Sequence, residues 1–368
     1  MEQKQSSDSL LERLKEIMPM IFMGLLILTV QLGSLWLSSR EYITEQPVFE
    51  NPESIGNAIY YILVLLIFSA IVVFAVKKNK SGFIRGVVYL SITVTFFYVI
   101  NSILSEFVPP EGIFLLLSGI LAVLLSVVLY KHPEWYVIDL AGLVISIGAC
   151  AIIGVSLSIL PIFILLLALL IYDFISVYKT KHMLTLASGM MNLKLPILFV
   201  IPKHLNYSYI DDDFLKEIDG ESNEKSEKKA DKESDSTDIE KMNFDETASE
   251  KTGSEKTDSK KIDSEKIDSE KTDADKKERG ALFMGLGDAV IPTLLVVSAN
   301  YFIPHTGFIS TPALLTMIGT FAGFAGLMYA VSKGKPQAGL PFLNTGAMAG
   351  FLIGAVVSGI SLMSFLPI

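Results

Sequence analysis

Gly285-Leu286-Gly287-Asp288-Ala289-Val290-Ile291-Pro292-Thr293-Leu294-Leu295-Val296-Val297 places one carboxylate inside an apolar run, 280 to 300, long enough to cross a bilayer as a helix. Leu169-Leu170-Ile171-Tyr172-Asp173-Phe174-Ile175 does the same within 157 to 178. Neither run contains a lysine or arginine that could pair with its acid. A charge at the centre of a membrane helix costs at least about 2.5 kcal/mol, so an intramembrane carboxylate is a functional candidate from the outset.

The rest of the chain agrees that water is not its main solvent. Of 368 residues, 51% are hydrophobic, and further apolar runs lie near 17 to 37, 57 to 76, 83 to 104, 112 to 130, 136 to 154, 312 to 331 and 337 to 363. With the two already quoted, these predict an all-α polytopic membrane protein of nine transmembrane helices. The runs lack the alternation of barrel strands, and in lipid only helices or closed barrels satisfy the backbone. The first run follows a charged segment and is too long for a signal-peptide core, so it reads as a retained span.

Positive residues orient the spans. Lys4, Arg13 and Lys15 precede the first, and Lys77, Lys78, Lys80 and Arg85 join the second to the third. Lys131 follows the fourth, Lys179 and Lys181 the sixth, and Lys333 and Lys335 the eighth, whereas the alternate connections carry only Arg40. This alternation predicts a cytoplasmic N-terminus and an extracytoplasmic C-terminus. Leu195 to Ile201 is apolar but short and bracketed by Lys194, Pro196, Pro202 and Lys203, so it is expected to be interfacial or re-entrant.

Three parts follow: an N-terminal membrane part, 1–205; a hydrophilic cytoplasmic loop, 206–279; and a C-terminal membrane part, 280–368. The formal net charge is -9, and it resides in the loop, which holds 25 acidic and 15 basic residues against 14 and 15 elsewhere. Rich in Ser, Thr, Asp, Glu and Lys, the loop is expected to be disordered, because it cannot bury enough apolar surface to offset its ordering entropy. Its five-residue repeat from Ser254 (SEKTD, SKKID, SEKID, SEKTD) fits neither a helix face nor a strand face, and a solvated tether is the simplest reading. The single cysteine, Cys150, excludes an intramolecular disulfide and a cysteine-clustered zinc site.

By position, Asp173 and Asp288 lie at one depth near the cytoplasmic side of consecutive antiparallel helices; Asp139, close to the start of the fifth span, is the only other acid inside a span. Two facing carboxylates in a low dielectric hold one shared proton. The ionised one can then take a proton from water attacking a peptide carbonyl while the protonated one supports the oxyanion and protonates the leaving nitrogen. Such a reaction requires no metal and no cofactor. Gly285 and Gly287 leave room on either side of Leu286, and Pro292 withholds the amide that would bond the Asp288 carbonyl. Taken alone, these glycines would equally suit helix packing. Gly339-Leu340-Pro341-Phe342-Leu343-Asn344 places a proline at the start of the last span, either as a plain helix start or as a break that exposes backbone to an extended peptide.

Together, Tyr172-Asp173, Gly285-Leu286-Gly287-Asp288 and the proline motif at Pro341, in this order and with a hydrophilic loop between the sixth and seventh spans, resemble the GxGD intramembrane aspartyl proteases, the presenilin and signal peptide peptidase family. The segment from Tyr172 through Met183-Leu184 to Pro196 looks like presenilin, Asp288 to Pro292 more like signal peptide peptidase. The whole looks like a microbial, archaeal-type homologue in a prokaryotic cell membrane. The resemblance implies cleavage of single-span membrane proteins or signal peptides within the bilayer by Asp173 and Asp288. Tyr172, Gly285, Leu286, Gly287, Leu340, Pro341, Phe342 and Leu343 would shape the substrate site. It implies transmembrane peptides and the lipid bilayer as partners, with no nucleic acid and no obligatory partner subunit; self-association is left open. One residue departs: the family motif is Pro-Ala-Leu, and Phe342 stands in place of the alanine.

Different chemistries remain as alternatives. A proton-coupled transporter could use two buried acids, although no internal repeat marks related halves; the aspartates could also serve only to bond neighbouring helices. There is no His-Glu-x-x-His, and His132, His182, His204 and His305 all lie in or beside connections, which disfavours metalloprotease and serine-histidine chemistry.

Overall fold

The structure, a computed structural model, describes residues 2–45, 47–77, 81–107, 111–175, 198–203, 207, 209, 281–332 and 339–361. It is mostly helical: α1 (Glu2–Ser38), α2 (Glu41–Thr44), α3 (Ile55–Lys77), α4 (Ser81–Leu104), α5 (Glu111–Lys131), α6 (Trp135–Ser156), α7 (Ile159–Ile175), then β1 (Leu198–Pro202), β2 (Ala281–Gly285), α8 (Leu286–Phe302), α9 (Thr311–Val331) and α10 (Gly339–Val357). Among the described residues six helices are long and apolar enough to cross a membrane, in α1, α4, α5, α6, α9 and α10. Ile55–Ile71, α7 and α8 are shorter apolar stretches. Apart from Tyr207 and Tyr209, the loop expected to be disordered falls outside the described residues.

Continuous apolar sequence becomes helix here because helices satisfy their own backbone where water is absent. Polar side chains within the helices turn back on the chain: Ser34 Oγ donates to the Val30 carbonyl at 2.6 Å, Thr316 Oγ1 to Pro312 at 2.6 Å and Thr320 Oγ1 to Thr316 at 2.9 Å. The helix packed on all sides is α8, which touches α1, α6, α7, α9 and α10 and buries every residue from Pro292 to Ala299. Elsewhere, α3 and α5 leave apolar side chains such as Leu63, Leu66, Leu116 and Ile120 exposed, as lipid-facing helices do.

One expectation is corrected at α8. The run from 280 was read as helix throughout, but Ala281–Gly285 is a strand, and the helix starts at Leu286. The physical reason is a partner remote in sequence: β1 pairs with β2 antiparallel, with Phe199 opposite Met284 and Ile201 opposite Leu282. Those four side chains share one face and join the core cluster or pack against it. The apolar piece expected to be interfacial or re-entrant thus ends in a sheet strand.

The last two helices pack with almost no side chain between them. A Cβ at Gly319 would fall on the carbonyl oxygen of Gly346, and one at Gly346 on that of Gly319; Gly350 is likewise closed by Leu315 and Gly323 by Phe342. Small residues four apart on facing helices permit such close approach, which van der Waals contact rewards in a membrane. The consequence for the site is positional. The first turn of α10 is held rigidly against α9, and Asn344 Nδ2 ties it to the Leu166 carbonyl of α7 at 3.3 Å.

Candidate active site

Asp173 lies two residues before the last described residue of α7 and is buried, whereas its neighbours Tyr172 and Phe174 are about half exposed. Helical geometry separates their directions: Asp173 turns inward, and the aromatic rings turn out. Asp288 is the third residue of α8, preceded by the tight passage from strand to helix at Gly285. Asp173 thus lies in the last described turn of α7 and Asp288 in the first turn of α8. Asp288, expected well inside its span, lies instead in the first turn of its helix.

The start of α10 brings the two acids together. The backbone N–H of Leu340 donates to the Asp173 carboxylate; the first N–H groups of any helix lack an internal acceptor, and here one is satisfied by an acid. The preceding residue, Gly339, lies against the other acid, since a Cβ there would meet Asp288 Oδ2 at 2.9 Å and Cγ and Oδ1 at 3.0 Å. Two consecutive residues thus touch the two carboxylates. Gly285 closes the other side of Asp288, with a Cβ position 3.6 Å from Oδ2.

The remaining residues expected at the site surround this point. Leu286 packs with its Cδ1 3.5 Å from the Cβ position of Gly142 in α6. Gly287 is exposed and faces open space, apart from Ile291. Pro341 is in the first turn of α10, as a helix-start proline, Leu343 is fully buried, and Phe342 lies over Gly326 of α9, its Cδ1 3.6 Å from the glycine's Cβ position. The ring in place of the family alanine is accommodated because α9 offers no side chain there. Phe174, Ala322, Gly326, Pro341 and Phe342 line an open apolar groove of about 540 Å³, which Phe174 borders from the residue after Asp173.

Sequence reading missed Gly339, whose place beside the Leu-Pro pair was the available signal, and the role of Asp139. Asp139 in α6 is buried and accepts the Val200 N–H at 2.7 Å, joining α6 to β1. Among the described residues no three His, Cys, Asp or Glu side chains come together.

Comparison with known proteins identifies the family. The family model described as signal-peptide peptidase, presenilin aspartyl protease matches residues 23–232 and 256–360. Two structures of a presenilin family intramembrane aspartate protease, in the C222 and P2 space groups, are similar to this chain. The first shows 27% identity and a TM-score of 0.58 over 92% of this chain and 99% of the other. The second shows 28% and 0.57 over 91% and 96%. No curated protein matches the chain. The chain is a multi-pass integral membrane protein and belongs to the signal-peptide peptidase and presenilin family of aspartyl proteases.

Proposed function

We propose that the protein hydrolyses peptide bonds inside the membrane, with Asp173 and Asp288 as the catalytic pair acting on transmembrane segments or signal peptides. The observation that carries this reading is the first turn of α10, where Gly339 lies against one carboxylate and the Leu340 N–H binds the other. Two charged carboxylates brought close in a low dielectric repel, which favours one proton shared between them. The ionised member takes a proton from water as it attacks the carbonyl carbon; the protonated member gives its proton toward the carbonyl oxygen and the departing nitrogen.

A helical substrate hides its peptide bonds and must first be extended. The sheet suggests where. Because the Val200 N–H points to Asp139, the Val200–Phe283 pair does not exchange hydrogen bonds, so the N–H and C=O of Phe283, and by alternation those of Gly285, point away from β1. A peptide added along that edge of β2 would pass beside Gly285 and hence beside Asp288. Nine spans with the N-terminus cytoplasmic, two membrane parts joined by a solvated tether, and action without obligatory partners complete the reading.

Proton-coupled transport is less favoured, since the matching family model and the similar structures are those of aspartyl proteases. The test is cleavage of a reporter transmembrane peptide in detergent. Wild type should cut it, and Asp173→Asn and Asp288→Asn should each lose at least about a thousandfold in kcat. Full activity in either variant would sink the reading.

A further inference from the structure

The third intramembrane acid has a structural position that the two-aspartate chemistry does not use. Asp139 is 5% exposed, in the second turn of α6. Its Oδ1 accepts the Val200 N–H at 2.7 Å, while Oδ2 is buried with no hydrogen-bond partner among the described residues. Burying a carboxylate for a single backbone bond is costly, and a plain apolar residue would pack the same helix without that cost. What the acid achieves is directional. The Val200 amide lies at the middle of β1, on the edge opposite β2, where a free N–H would accept another strand.

Two neighbouring contacts point the same way. Gly142, three residues on along α6, has its Cβ position 3.0 Å from the Phe199 ring and 3.5 Å from Leu286, so this helix face fits β1 and the start of α8 together. Glu134, just before α6, accepts the Tyr209 N–H at 3.2 Å, so two carboxylates near the N-terminal end of one helix hold backbone on either side of Pro202. Among the described residues β2 has no strand on its outer side.

Building on the proposed catalytic reading, we propose that Asp139 is a positioning residue for peptide hydrolysis. By capping the outer edge of β1 it fixes the sheet on α6, leaves the β2 edge as the docking edge, and thereby sets which substrate bond arrives at Asp288. The β-strand period makes the consequence specific: a slip of one residue turns every side chain over and presents the neighbouring bond.

Three variants test it, each judged on preparations that remain monodisperse. Asp139→Asn keeps an acceptor for Val200, Asp139→Leu keeps bulk without one, and Val200→Pro removes the donor without touching the ladder to β2. Products are read by mass spectrometry with kcat and KM. Asp139→Asn should cut at the wild-type bond with kcat/KM within about threefold. Asp139→Leu and Val200→Pro should spread cleavage to adjacent bonds and lose about tenfold or more in kcat/KM, the scale of one lost charge-assisted bond. Wild-type cleavage positions and rates in Asp139→Leu would overturn the proposal, as would equal damage in the Asn and Leu variants. If Asp139→Leu does not fold, Val200→Pro decides between the same outcomes.

Hydrogen exchange over residues 198–202 reads the contact without catalysis. It should speed up about tenfold or more in Asp139→Leu or Val200→Pro, and unchanged exchange would overturn the positioning role. Failure of the catalytic reading shows itself separately, as cleavage that survives Asp288→Asn.

Discussion

Replacing Gly339 by alanine inserts one methyl group at the point where α10 meets Asp288. That methyl would lie 2.9 Å from Oδ2 and 3.0 Å from both Cγ and Oδ1, where ordinary contact is 3.4–4 Å. The carboxylate must therefore retreat by roughly 0.5–1 Å, or the start of α10 must move and stretch the Leu340 bond to Asp173. Either response separates the acids from their working geometry. A displacement of about 1 Å costs on the order of a hundredfold in rate, so kcat should fall roughly 10- to 100-fold. Folding should not suffer, because alanine is the better helix former by about 1 kcal/mol. The assay is initial-rate cleavage of a reporter transmembrane peptide over a range of concentrations, with the thermal midpoint measured on the same preparation. Gly119→Ala in α5, whose Cβ meets nothing within 4 Å, controls for the generic exchange. A Gly339→Ala enzyme with kcat within twofold of wild type would refute the argument that this glycine makes room for the carboxylate.

Other perturbations separate packing from chemistry. Gly346→Ala drives a methyl into the Gly319 carbonyl of the facing helix and should lower stability by about 1–3 kcal/mol, seen as a lower thermal midpoint; a midpoint equal to that of Gly119→Ala would contradict the close packing of α9 on α10. Phe342→Ala removes a ring from the groove beside Asp173, so the ratio of kcat/KM for a Phe-flanked over an Ala-flanked scissile bond should rise by about tenfold; an unchanged ratio would place the groove outside substrate recognition. The paired ends of β1 and β2 meet at Pro202 and Ala281, so a flexible linker of about eight residues in place of Asp211–Gly280 should sustain cleavage. Closing about 8 residues instead of 70 removes about three doublings of loop length, a gain near 2 kcal/mol. Loss of activity in that chain would show the loop to be more than a tether.

The site was legible in the sequence to the extent that its residues are conspicuous in lipid. Asp173 and Asp288 stood out because little else in their apolar runs is charged, and Gly285-Leu286-Gly287 and Pro341 stood out as departures from plain helical sequence. Gly339 did not, because a glycine beside a predicted helix start has many uses, and only the Asp288 carboxylate folded against it gives it one. Phe342 looked like an obstacle until Gly326 of α9 appeared beneath its ring.

By itself the sequence determined that the chain enters a membrane, which apolar runs become helices, and which acids cost most to bury. These are local properties, since a bilayer demands contiguous apolar residues and helices bond only within themselves. Tertiary structure alone decided that Ala281–Gly285 is a strand, because the hydrogen bonds that make it one come from β1. It alone decided that the third acid holds that sheet, and that glycines in α9 and α10 bring the turn at Gly339 and Leu340 between the two aspartates. Each depends on residues far apart in the chain, whose meeting is fixed by packing rather than by neighbouring sequence.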